Sequence, residues 1–146
     1  MISYSQNFED VILGRVFKHI SNGFYIDIGA QDPIRDSTSK HFYDQGWSGI
    51  NVEPVPKYAS RLRETRSRDI VIEKVVTHNL NEIEFYLVHD TGLSTASPIL
   101  ASNYTADGRF VEKVLVETAS LDSILELANG KDVHWLKIDV EGNEKS

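Results

Sequence analysis

Three carboxylates, Asp27, Glu53 and Asp139, stand at the ends of short runs rich in aromatic and β-branched residues: "FYIDIGAQDP" at 24–33, "WSGINVEP" at 47–54 and "VHWLKIDVEG" at 133–142. Such runs read as buried strands. In open α/β sheets ligands bind outside the carboxyl ends of the strands, so three acids placed there are expected to line one crevice. Glu53 follows Asp27 by 26 positions, close to the ~20 that separate a first nucleotide loop from the acid on the ribose. A carboxylate can accept from both hydroxyls of a cis diol. Each acid alone could equally satisfy turn amides. Asp27 fits that plainer reading least, because an unpaired carboxylate inside an apolar run is expensive.

The turn after Asp27 decides between ligand classes. It reads Gly29, Ala30, Gln31, Asp32, Pro33, without the second and third glycines of a G-x-G-x-x-G loop that bring a pyrophosphate against helix amides. Pro33 removes an amide and Asp32 is expected to repel a diphosphate. NAD and FAD are therefore disfavoured. S-adenosylmethionine carries no phosphate, has a sulfonium and an ammonium, and offers a ribose diol, so an acidic turn suits it.

The elements that must hold these residues follow from periodicity. Phe8, Ile12, Val16 and Ile20 recur four apart, with Val11 and Leu13 widening the stripe, and predict an amphipathic helix over 7–20, beginning near Asn7. A strand at 24–28 is followed by a helix from about Asp36 to Gln45, closed by Gly46. A second strand ends at Glu53, and Pro56 opens a third helix whose inner face is Tyr58, Ala59 and Leu62. "DIVIEKVV", 69–76, is a single strand by pattern, and "IEFYLVH" and "RFVEKVLVET" are two more around a Gly/Ser/Thr/Asn-rich segment, 91–108. "SLDSILELANG" is a helix capped by Ser120 and stopped by Gly130. Alternation of this kind predicts an α/β fold, a three-layer sandwich with a mostly parallel sheet and right-handed crossovers. One domain over 1–146 is expected, an N-terminal helix in 1–22 and a core in 23–146.

Composition narrows the partners. A net charge of −7 and a pI near 5.2 oppose the basic footprint of nucleic-acid binding. No cysteine is present, which removes disulfides, thiolate zinc sites and cysteine nucleophiles and suits a cytoplasmic setting. Neither a signal-peptide pattern nor an apolar run of ~18 residues occurs, so no membrane association is expected. Asp139, Glu141 and Glu144 do not form a distinctive oxygen-ligand set, and no metal is expected. "GLSTASP", 92–98, reads as a capped turn or as a lid hinged at Gly92. "RLRETRSR", 61–68, reads as the solvated face of a helix. The histidines single out no catalytic base.

Four blocks in order, "YSQNFEDVIL" (4–13), "FYIDIGAQDP" (24–33), "GWSGINVEPVP" (46–56) and "LKIDVEGNE" (136–144), make the chain resemble the FkbM-family methyltransferases. The resemblance implies a Rossmann-like fold and dependence on S-adenosylmethionine. It places Asp27, Gly29 and Ala30 around the methionine part of the cofactor, Glu53 on its ribose, and Asp139 with Glu141 facing the transferred methyl. It also implies that Gln6 and Asp10 help close the cofactor pocket. A small-molecule or glycan hydroxyl is the expected methyl acceptor, with Asp139 or Glu141 orienting or deprotonating it. Gln31 departs from the family pattern, which has a second glycine nearby. The resemblance further implies a fold that continues through at least one more strand, so the strand at 134–140 is expected to be an open edge, covered either by later strands of a longer natural protein or by a homo-oligomer. A degenerate module that keeps the crevice without turnover is the competing expectation.

Overall fold

The computed structural model describes residues 2–78, 81–89 and 91–139. Four strands form a parallel sheet in the order β3 (Ile70–Ile72), β2 (Ser48–Val52), β1 (Phe24–Ile28), β8 (Trp135–Ile138). The chain steps outward from β1 to β2 and β3, then returns with β8 on the other side of β1. The order of the strands therefore reverses at the β1–β8 seam, where doubly wound sheets open their ligand crevice. Register is in step there: Asp27 lies opposite Asn51 and Lys137, and Ile28 opposite Val52 and Ile138.

All five residues of β1 are buried, which follows from its hub position between helical layers. Phe24, Ile26 and Ile28 pack with Ile50, Val52 and, from the segment beginning with α5 (Leu121–Glu126), Ile124 and Ala128. On the opposite face Tyr25 packs with Phe42 of α2 (Ser39–Asp44), Trp47 and Trp135. Alternate residues of one strand thus supply two cores. The third helix, α3 (Pro56–Thr65), starts at Pro56 and buries Ala59 and Leu62, as its sequence implied.

The N-terminal helix differs from expectation in length and in orientation. α1 spans Glu9–Val16 and begins after Phe8, which holds a left-handed backbone at φ 62°. Phe8, Ile12 and Val16 face outward, 64%, 60% and 66% exposed. The inner face consists of Leu13, at the margin of the predicted stripe, with Asp10 and, just beyond the helix, Phe17, spaced three and four apart. Two contacts outweigh the apolar stripe. Phe17 meets the rings of Trp47 and His134 edge-on, and the Asp10 carboxylate accepts from Ser3 Oγ, the Tyr4 amide, Ser5 Oγ and the Val11 amide. A carboxylate so supplied can be buried.

Residues 69–76 are two strands rather than one. β3 ends at Ile72, and β4 (Val75–Val76) leaves the main sheet to pair with β7 (Thr118–Ala119). β5 (Ile83–Val88) and β6 (Val111–Val116) form an antiparallel hairpin of their own, with α4 (Pro98–Ala106) between them. The helix forecast from Asp36 is shorter, beginning at Ser39, because Asp36 takes a left-handed backbone at φ 55°.

The arginine-rich end of α3 is the largest departure. Arg66 is 3% exposed and donates to the Pro33 carbonyl, Ser37 Oγ, Ser39 Oγ, Tyr25 Oη and Asp69. Asp69 also accepts from Tyr25 Oη, the Gly49 amide and Asn51 Nδ2. Burial pushes the Asp69 carboxyl up, against the pull of these donors and of Arg66. This buried network ties the turn after β1 to the ends of β2 and α3. Removing one member of such a pair leaves the other charge stranded. Arg66→Leu is expected to cost about 3–5 kcal/mol in urea unfolding. Arg63→Ala, which breaks the half-exposed pair with Glu73, is expected to cost under about 1 kcal/mol.

Candidate functional site

β1, β2 and β8 end together, and their ends are sewn by main-chain bonds. The Gly29 amide donates to the Val52 carbonyl at 2.8 Å, the Asp139 amide to the Ile28 carbonyl at 2.9 Å and the Glu53 amide to the Ile72 carbonyl at 2.9 Å. Gly29 sits at φ +82°, and a Cβ there would overlap the Asp139 carbonyl oxygen. Only glycine meets both demands. Above this edge lies a cleft whose wall includes Gly29, Gln31, Glu53, Tyr58, Gly92 and Asp139.

Glu53 is the organised acid of the cleft. Its Oε1 accepts from the Gln31 amide at 2.9 Å and its Oε2 from the Val55 amide at 2.7 Å. Each oxygen keeps a second lone pair. Burial pushes the carboxyl up to about 7, against the pull of those two amides, and the neighbouring Asp27 and Glu73 add to the rise. The group therefore changes charge near neutrality.

Asp27, 1% exposed, lies under the same edge. Its Oδ1 has no hydrogen-bond partner among the described residues. Burial drives its carboxyl up, while Lys137, Arg66 and Ser39 pull it back and Asp139 pushes further. Asp139 itself is partly exposed beside Lys137, 3.9 Å away. Asp27, Glu53 and Asp139 are thus gathered at one edge, Glu53 and Asp139 in the wall and Asp27 beneath it.

The remaining candidates from the sequence are placed elsewhere. Ala30 is buried and donates its amide to Val52 O at 3.2 Å. Gln6 is exposed and Asp10 is closed around its own N-terminal segment, and neither lines the cleft. Hydrogen bonds from Ser3, Tyr4 and Ser5 outweigh the burial that would raise the Asp10 carboxyl and hold it below the usual range. Glu141 and Glu144 lie outside the described residues. Asp32 does not present a bare charge to the turn: its Oδ1 accepts from the Ile34 and Arg35 amides and its Oδ2 pairs with Arg61 at 2.8 Å. The expected repulsion of a diphosphate by Asp32 is accordingly blunted.

Most of the turn's amides are already used within the protein, which leaves little of a phosphate cradle. Those of Gly29 and Ala30 go to Val52, that of Gln31 to Glu53, and those of Ile34 and Arg35 to Asp32. The sequence reading missed Gln31, Tyr58, Lys74 and Phe85 as cleft residues. Gly92 was the one signal for the far wall, since only a distant fold contact brings residues 91–96 there.

Two outcomes follow from this geometry. Because the Glu53 carboxyl is raised from 4.5 to about 7, the folded state binds more protons than the unfolded chain between those values. Its contribution makes stability fall as pH rises through that window, by about 3 kcal/mol at most. Urea melts from pH 4.5 to 8 should show a shallower decline in Glu53→Gln than in the natural chain. Gly29→Ala, strained at positive φ and in collision with Asp139, is expected to lose about 3 kcal/mol or more by the same measurement.

Comparison with known proteins identifies the family. The family model described as "Methyltransferase FkbM domain" matches residues 27–146, which takes in Asp27, the turn, Glu53 and Asp139. Neither a curated protein nor a solved structure matches the chain. With the family model covering most of its length and a Rossmann-like sheet gathering the acids at the switch point, the chain belongs to the FkbM methyltransferase domain family.

Proposed function

We propose that this methyltransferase domain uses S-adenosylmethionine and transfers its methyl group to a hydroxyl of a small molecule or sugar. The observation that carries the reading is the pairing of a largely spent turn with a buried acid in the cleft wall that keeps acceptor capacity. The amides of Gly29, Ala30, Gln31, Ile34 and Arg35 are committed within the protein, while the Glu53 carboxylate, held by the Gln31 and Val55 amides, keeps a second lone pair on each oxygen. That favours a ligand with a diol and without a phosphate.

When bound, S-adenosylmethionine would supply an activated methyl group on a sulfonium. Glu53 would accept from the ribose hydroxyls, and the Gly29 turn would let that ligand approach the main chain closely. Asp27, whose Oδ1 lacks a partner among the described residues, would bias the site toward positive charge. Asp139, at the seam and partly exposed, would orient the acceptor hydroxyl and take its proton.

Isothermal titration with S-adenosylmethionine tests the cofactor, with NAD as the control. The expected result is saturable binding of the first alone, weakened at least ten-fold in Glu53→Ala. Binding of NAD, or no change in the variant, would contradict the reading. Tritium transfer from labelled S-adenosylmethionine to a panel of sugar hydroxyls tests Asp139. Asp139→Asn is expected to lower transfer by roughly 10²-fold or more while cofactor binding persists.

A further inference from the structure

The cleft over Glu53 is roofed. Its free space is about 40 Å³, room for a few waters at ~10–15 Å³ each and far too little for a nucleoside. Across the roof lies a second hollow of about 200 Å³, bounded by Leu87 and His89 on its outer side. The two share Val55, Tyr58, Thr91 and Ser94 as a common wall.

Two side-chain hydrogen bonds from the core hold that wall shut. Tyr58 Oη donates to the Thr91 carbonyl at 3.0 Å, and Gln31 Nε2 donates to the Gly92 carbonyl at 3.3 Å. A Cβ on Gly92 would sit 2.5 Å from Gln31 Oε1, so a larger residue there would displace the Gln31 amide from its present position. The base of the roof is anchored separately. Thr95 pairs with Tyr86 through bonds of 2.8 and 3.0 Å, and Ser94 Oγ accepts from the Val88 amide at 3.0 Å. Lifting Thr91–Leu93 also breaks the bond from Thr91 Oγ1 to the Val88 carbonyl at 2.7 Å, while the base at Ser94 and Thr95 stays paired.

We infer that the two hollows are halves of one nucleoside-sized site, closed in this structure by a latch made of Gln31 and Tyr58. Lifting Thr91–Leu93 joins them into a groove that begins at Glu53 and runs beneath α3. The inference rests on the reading of Glu53 as a diol acceptor. Its consequence is unusual for polar residues in a cleft wall: the latch competes with the ligand. Apparent affinity is reduced by the fraction of molecules that are open, and each net hydrogen bond of the latch shifts that fraction about five-fold.

Tyr58→Phe keeps the ring and removes the donor. Gln31→Gly removes the other donor, keeps the amide that serves Glu53, and accepts the left-handed backbone of position 31 (φ 57°). Hydrogen exchange of the peptide 91–97 in the free protein is expected to quicken about five-fold in each variant and further in the double variant. Titration with S-adenosylmethionine is expected to show tighter binding, about five-fold for each single change. Weaker binding in both variants would mean that the two groups hold the ligand, and would overturn the inference. So would unchanged exchange in the double variant. Exchange that quickens while no form binds S-adenosylmethionine upholds the latch and overturns the cofactor reading instead.

Discussion

Three strand ends meet at Gly29, and the site depends on how closely they meet. The glycine hands its amide to β2 while its missing side chain leaves room for the carbonyl of Asp139 after β8. Parallel strands in register deliver their following residues to the same height. Glu53 and Asp139 consequently face one opening although 86 positions separate them in the chain. The turn that begins at Gly29 then places Gln31 so that its main chain steadies Glu53 and its side chain reaches the roof.

Burying polar groups beside this point requires compensation, and the fold divides the task. Asp69 and Arg66 satisfy one another together with Tyr25, Asn51, Ser37 and Ser39. Asp10 is satisfied within its own segment. Asp27 is not fully matched, and the charges of Lys137 and Arg66 act on it without a direct bond to Oδ1. Thr38 Oγ1, Asn51 Oδ1 and Trp135 Nε1 also lack a partner among the described residues, but of these four groups only Asp27 is a carboxyl, for which an unmatched burial costs most.

The sheet and its acid-bearing edge were legible because short buried strands carry a local signature. "FYIDI" and "SGINV" are buried on both faces, and each is followed by its glycine or acid. Pro56 and Ser120 likewise announced their helices. The reading failed where distant contacts chose between local options. Spacing alone pointed Phe8, Ile12 and Val16 inward, but the ring of Phe17 and the carboxylate of Asp10 turned α1 the other way. Arg66 looked like its exposed neighbours in "RLRETRSR" because its partners come from residues 25 to 69. The split of 69–76 between two sheets is also a matter of partners, since β4 pairs with a strand more than 40 positions later.

Both acceptors of the roof are carbonyl oxygens, which every residue possesses. The roof can thus change its side chains, Leu93 among them, and still be grasped by the same tyrosine and glutamine, provided Gly92 stays small. The floor has no such freedom, being fixed by a glycine, two acids and the amides that serve them. Evolutionary variation in what this domain accepts can therefore accumulate on one wall of the groove while the opposite wall stays constant.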